Sequence, residues 1–193
     1  MKASLDGKIE RSNGPADWVS AWSDDYGLTP EIDGCILGRG MYPLYEKYWT
    51  SIQTNAEEPA WITGAPPTQA EREWADFAKR TPHYVLSNTM QSAAWPNTKF
   101  IGGLDDVAAL KQQAGKDIYL VGGAKTTASL IGAGLVDELR MIVYPLILGE
   151  GKPLFAAAEE NNVASRESLT KRRAVHVADH QHRAALRVLY DGR

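Results

Sequence analysis

Short apolar runs, each ended by glycine or a polar turn, recur along the first three quarters of the chain. Residues 35–37, 84–86, 100–101 and 118–121 are too short and too continuously apolar for helices. They suit strands buried on both faces. Between them the apolar spacing becomes helical. Residues 41–49 carry Tyr42, Tyr45, Tyr48 and Trp49 on one face, a pattern that core packing explains for most of the rings. Thr68-Gln-Ala-Glu71 is a capping box that predicts a helix over 69–79, with Trp74, Phe77 and Ala78 as its apolar stripe and Pro82 as its stop. Asp105 or Asp106 caps a helix through Val107, Leu110 and Ala114, closed by Gly115. A fourth helical pattern runs over 124–133 and stops at Gly134.

Elsewhere the pattern is weaker. Residues 1–5 are barely a strand before the Asp6-Gly7 turn, residues 17–22 suit a short helix carrying Trp18 and Trp22, Thr29 caps a short turn with Pro30 at its first position, and 51–64 read as irregular. A long apolar strand is expected over 138–148, interrupted by Pro145 and stopped by Gly149-Glu-Gly151. The tail alternates over 173–177 and 184–190 around a polar turn, as an antiparallel pair does. Strands alternating with helices up to about 148, then antiparallel strands, predict a single α/β domain. The architecture expected is a three-layer sandwich on a mixed sheet with antiparallel C-terminal strands.

The chemistry gathers where strand 118–121 meets Gly122-Gly123. A glycine pair between strand and helix leaves free N–H groups at a helix start, and Lys125, Thr126 and Thr127 add a cation and two hydroxyls. Two alternatives stand at this point: a seat for a phosphate or pyrophosphate, or an ordinary tight turn. Net charge is −3 over 193 residues, without the basic stripe of a nucleic-acid binder. The cluster Lys171-Arg172-Arg173 reads as a solvated edge. Cys35 is the single cysteine, which excludes an intramolecular disulfide and a cysteine metal cluster. With no signal-peptide pattern and no apolar run near 18 residues, a cytoplasmic protein with no membrane and no nucleic-acid partner is expected. His176, His180 and His182 suit a solvated hairpin better than a metal site, since no cysteine ligand accompanies them.

Four strand ends are polar or glycine-rich: Ser4-Leu5-Asp6-Gly7, Gly38-Arg39, Ser87-Asn88-Thr89 and Gly122-Gly123. In an open α/β sheet, ligands bind at such carboxyl ends. The ordered set is SLDGKI at 4–9, D-x-x-x-x-G-R-x-x-Y from Asp33 to Tyr42, YVLSNT at 84–89, GGA at 122–124, GLVDEL at 134–139 and P-x-x-L-G-x-G-x-P-L-F from Pro145 to Phe155. Over nearly the whole chain it resembles the dihydrofolate reductase superfamily. The closer likeness is to the reductase domain of the bifunctional riboflavin-biosynthesis deaminase-reductases and its stand-alone relatives.

That resemblance implies an oxidoreductase using NADPH, a small-molecule substrate and a homodimer. It places Gly38, Arg39, Met41 and Tyr42 on one side of the cofactor, Ser87, Asn88 and Thr89 by the 2′-phosphate, and Gly122, Gly123, Ala124, Lys125 and Thr126 on the pyrophosphate. Ser87-Asn88-Thr89 contains no carboxylate, which independently favours NADPH over NADH. Arg39 is a phosphate partner or else pairs with Asp33 or Glu46. Toward the substrate the resemblance brings Asp6, Lys8 and Asp17 as candidate proton or charge donors for a hydride acceptor, with Trp18 and Tyr45 lining the cleft. The alternative for Lys8 is a surface strand lysine.

The chain departs from the riboflavin enzymes at Val121, where they carry a Glu, and at Met41, where they carry a Thr. It lacks their deaminase domain, and Asp17-Trp18 does not reproduce the Trp-x-x-Pro-acid pattern of the folate enzymes. The expected function is therefore hydride transfer from NADPH to a heterocyclic (pterin- or pyrimidine-like) or carbonyl substrate. The alternative is a non-catalytic nucleotide- or pterin-binding module on the same fold.

Overall fold

The computed structural model describes residues 1–14, 16, 18–19, 29–155, 175–179 and 185–188. In chain order the elements are β1 (Lys2–Ser4), β2 (Lys8–Glu10), a 3-10 turn (Thr29–Glu31), β3 (Ile32–Gly38), α1 (Tyr42–Thr54), α2 (Gln69–Arg80), β4 (His83–Leu86), β5 (Thr98–Ile101), α3 (Leu104–Lys111), β6 (Asp117–Gly122), α4 (Ala124–Gly132), β7 (Leu139–Tyr144), β8 (Lys152–Pro153), β9 (Val175–Asp179) and β10 (Ala185–Val188). Two compact units result: Asp17–Gly123, and Met1–Ala16 with Ala124–Arg193. Among the described residues no helix is long and apolar enough to cross a membrane.

The continuous unit holds an all-parallel sheet in the order β5-β4-β3-β6. Cys35 pairs with His83 and Leu37 with Val85, so these four side chains share one face by the two-residue period of strands. The core on that face gathers Tyr42, Tyr45, Tyr48, Trp49 and Ile52 of α1 with Trp74, Ala75, Phe77 and Ala78 of α2. α2 starts as its sequence requires: Thr68 Oγ1 accepts from the Glu71 N–H at 3.1 Å, and Glu71 Oε2 accepts from the Thr68 N–H at 2.9 Å. α1 outruns its expected end and continues to Thr54, into a stretch read as irregular. Ile52 is buried there, and Gln53 donates from Nε2 to the Ala75 carbonyl at 2.7 Å, so packing against α2 carries the extra turn. α3 also differs from expectation. Gly103 holds its N-cap position without a side-chain cap, Asp106 reaches back to accept from the Gly102 N–H at 2.7 Å, and the helix ends at Lys111 rather than at Gly115.

His83 is fully buried in this core. Its Nδ1 donates to the Thr81 carbonyl at 2.8 Å, and its Nε2 faces the Tyr45 hydroxyl at 3.5 Å, which itself accepts from Trp74 Nε1 at 3.1 Å. Burial lowers the imidazole pKa from 6.5 to about 4, outweighing the Thr81 carbonyl and the Glu46 charge, which favour the cation. The unfolded chain therefore takes up this proton first as pH falls, and folding loses stability from pH 6.5 down to about 4. At roughly 1.4 kcal/mol per pKa unit, the loss across that window is about 3 kcal/mol. Denaturant midpoints at pH 7 and pH 4 will show it, with a smaller difference in His83→Gln. An equal difference in that variant would assign the acid sensitivity elsewhere.

The discontinuous unit carries a mixed sheet in the order β1-β7-β9-β10, parallel except for β9–β10, which pair antiparallel as the tail predicts. A two-stranded ribbon of β2 and β8 accompanies it. α4 ends in the expected left-handed Gly134 (φ 70°), with Leu135 N–H on the Leu130 carbonyl and Gly134 N–H on that of Ile131. The strand expected over 138–148 stops at Tyr144. Pro145 has no N–H for a ladder, and the N–H groups of Leu148 and Gly149 turn to Asp6 instead.

Candidate functional site

In the continuous unit the chain runs β3, β4, β5 toward one sheet edge and then returns to place β6 on the other side of β3. Strand order therefore reverses between β3 and β6, and in open α/β sheets the ligand crevice lies at such a point, outside the strands' carboxyl ends. The crevice is bounded by Gly38-Arg39-Gly40-Met41 after β3 and by Gly122-Gly123 after β6. Both glycines have positive φ, 132° and 31°. A Cβ on Gly123 would meet only the Met41 Cβ, at 3.8 Å, so the backbone here is open to close approach. Met41 is the N-cap of α1 and makes no side-chain cap, as Gly103 makes none for α3. α2, which follows a helix rather than a strand of this sheet, is fully capped. The helix starts at the carboxyl edge thus keep N–H groups available to an anion.

After β4, the Ser87 hydroxyl oxygen accepts from the N–H groups of Thr89 (3.2 Å) and Met90 (2.9 Å). Its own hydrogen is not needed for that turn. Arg39 is exposed and donates from Nη1 to Thr89 Oγ1 at 3.3 Å, joining the ends of neighbouring strands β3 and β4. The ion-pair alternatives for Arg39 fall away. Asp33 sits at the opposite end of β3 and accepts from the Lys116 N–H, while Glu46 accepts from Tyr42 and from the N–H groups of Ala94 and Trp95. Gly102-Gly103, after β5, completes this edge. A Cβ on Gly102 would stand 3.2 Å from Asn88 Oδ1 and 3.4 Å from Asp106 Oδ2. The sequence reading gave this second glycine pair no site role, although a strand, a glycine pair and a helix form the same signal as at 122–123.

In the discontinuous unit, Asp6 has a structural task. Its carboxylate accepts from Ser4 Oγ at 2.6 Å and from the N–H groups of Leu148 (3.1 Å) and Gly149 (2.9 Å). The Ser4 hydroxyl foremost, and then those amides, hold its pKa near 2 instead of 3.8. Asp6 was expected as a catalytic candidate. These bonds favour the ionised carboxylate, the form that accepts rather than donates a proton near neutral pH. Lys8 lies half-buried on β2, where its backbone N–H donates to Ser4 Oγ, and its ammonium forms no ion pair among the described residues.

The remaining candidates separate clearly. Tyr45, expected at the substrate, is 7% exposed and serves the core, its hydroxyl taken up by Trp74 and His83. Tyr42, expected at the cofactor, is fully buried with its hydroxyl donating to Glu46 and meeting Thr98 Oγ1 at 2.6 Å. Helical spacing points both rings inward, so no face remains for a ligand. Trp18 is half-buried. Ala124, Lys125 and Thr126 form the first turn of α4, in the discontinuous unit. Asp17, Trp22, His180, His182 and Lys171-Arg172-Arg173 lie outside the described residues, and His176 is described in its backbone alone.

Residues 1–180 match the model of a family described as the RibD C-terminal domain. The Bacillus subtilis (strain 168) protein named "Uncharacterized protein YyaP" is 37% identical over 160 residues, spanning 80% of this chain and 77% of that protein. "Uncharacterized protein YwjB" of the same organism is 27% identical over 164 residues, spanning 80% and 79%. A crystal structure titled "Putative riboflavin biosynthesis protein", from Shewanella sp. PV-4, superposes with a TM-score of 0.55 at 23% identity over 83% of each chain. That likeness is one of fold: an α/β arrangement of the dihydrofolate reductase type, as the sequence predicts.

Proposed function

The chain belongs to the RibD C-terminal domain family, and from that premise we propose that it is an NADPH-dependent oxidoreductase acting on a small heterocyclic (pterin- or pyrimidine-like) or carbonyl substrate. The observation that carries the proposal is the crevice at the reversal of strand order. Two chain reversals meet there, one of them a positive-φ glycine pair, and no carboxylate stands among Gly38–Met41, Ser87–Thr89 or Gly122–Gly123. The donor set fits a dinucleotide phosphate group. The Gly-Gly turn supplies backbone N–H groups, Arg39 a planar cation, and Thr89 and Ser87 hydroxyls. Bound NADPH would supply a hydride. These residues would hold its phosphates, Arg39 and Thr89 taking the 2′-phosphate and Gly122-Gly123 the pyrophosphate.

Hydride arrival leaves negative charge on the acceptor, which then needs a proton or a nearby cation. Of Asp6, Lys8 and Asp17, the candidates the resemblance supplies for that role, Lys8 is the one that carries a positive charge. The structural task of Asp6 favours a second reading, a nucleotide- or pterin-binding module without turnover. Fluorescence titration with NADPH and with NADH, followed by turnover with a panel of pterin, pyrimidine and carbonyl compounds, separates the two. Arg39→Ala is expected to weaken NADPH by about tenfold and NADH far less, since only NADPH carries the 2′-phosphate. Equal losses would remove Arg39 from that role. NADPH bound but never oxidised would favour the binding module, and no binding would end both readings.

A further inference from the structure

Met41 crosses the point where the strand order reverses. Its backbone closes the turn after β3, the N–H donating to the Gly38 carbonyl at 3.0 Å and the carbonyl accepting from the Tyr45 N–H at 3.1 Å. Its side chain packs against the core of the continuous unit, and its sulfur accepts from the Gly123 N–H at 3.3 Å. A thioether is a weak acceptor, and a backbone N–H in a partly buried place normally finds a stronger one. Here the N–H of the second glycine of the turn is given to one of the weakest acceptors among the side chains.

Resting on the reading of this crevice as a phosphate seat, we infer that Met41 is a positioning residue that sets how tightly the seat holds its anion. In the ligand-free protein the thioether spares the Gly123 N–H from being left unpaired. It yields that N–H to a phosphate oxygen because the anion is by far the better acceptor. Met also has the torsional freedom to move aside without a gap opening at the core. The strength of the acceptor at position 41 therefore competes directly with the ligand.

The competition gives two near-isosteric variants opposite signs. Met41→Leu keeps the apolar volume and removes the acceptor, leaving the Gly123 N–H to the ligand. Met41→Gln keeps the length and supplies an amide oxygen, a stronger competitor. Affinity for NADPH, and separately for inorganic pyrophosphate, is expected in the order Leu above Met above Gln, each step about three- to tenfold. A purely structural role would predict the native Met to be best and the two variants to fall with their melting temperatures. The amide resonance of Gly123 in ligand-free protein gives an independent readout, moving in opposite directions in the two variants. NADPH bound with equal or reversed affinities would overturn the inference and leave the reductase reading standing. Failure to bind NADPH, with pyrophosphate still ranked Leu, Met, Gln, would do the reverse. Binding of neither probe would overturn both.

Discussion

Gly123→Val is expected to lower NADPH affinity by at least about tenfold in a protein that still folds. The residue sits at φ 31°, and a β-branched side chain strongly disfavours a positive φ. Packing alone does not forbid the change, because the new Cβ would touch only the Met41 Cβ, at an ordinary 3.8 Å. Two costs remain. Backbone strain of about 1–3 kcal/mol either destabilises the turn or shifts it out of its anion-binding form, and the branches shield the N–H that a phosphate must approach. Titration with NADPH beside a thermal melt separates these effects. A folded variant with native affinity would remove the Gly-Gly turn from the cofactor site.

The largest loss of stability is expected at Gly151→Ala. This glycine precedes β8 at φ 132°, and a Cβ there would collide with the Glu10 carbonyl oxygen, with the Arg11 Cα a further 3.4 Å contact. Both obstacles are backbone of the β2 region, which is held to β8 through Lys8–Pro153 and Glu10–Lys152 pairing, so no side chain can turn aside. Either the ribbon separates or the whole loop shifts, a cost of about 3–5 kcal/mol or failure to fold. Gly149→Ala is the control: φ is 70° and nothing lies within 4 Å, so about 1–2 kcal/mol is expected. Equal denaturation midpoints for the two variants would show that conformation, and not collision, governs this loop.

What the sequence disclosed follows how local its causes are. α2 is legible almost to the residue because Thr68 and Glu71 cap each other three positions apart, and the end of α4 is legible because Gly134 closes it with its immediate neighbours. The extra turn of α1 depends on α2, from Gln53 to Ala75. β7 stops before Pro145, which the sequence shows, but the course of Leu148 and Gly149 depends on Asp6, more than 140 positions away. No local pattern carries such information. The crevice lies between these cases. Its glycines and Arg39 stand out as motifs, but their shared edge follows from strand order. The inward turn of Tyr42 and Tyr45 shows the limit of reading aromatic residues near a motif as ligand contacts: their helical spacing already indicated a core.

The interrupted course of one unit bears on synthesis. β1 lies in the first few residues, yet its ladder partner is β7, with Lys2 opposite Ile142 and Ser4 opposite Tyr144. The segment Asp17–Gly123 between them forms a compact unit with all four strands of its own sheet. On a ribosome, where domains acquire structure as they emerge, that middle segment can finish while the amino-terminal strand still waits for a partner not yet made. Once the middle has collapsed, the loop that β1 must close no longer behaves as a free chain of that length, and the entropy of closing it falls accordingly. β7 is made after that segment, so β1 can pair with it only once the middle of the chain has emerged.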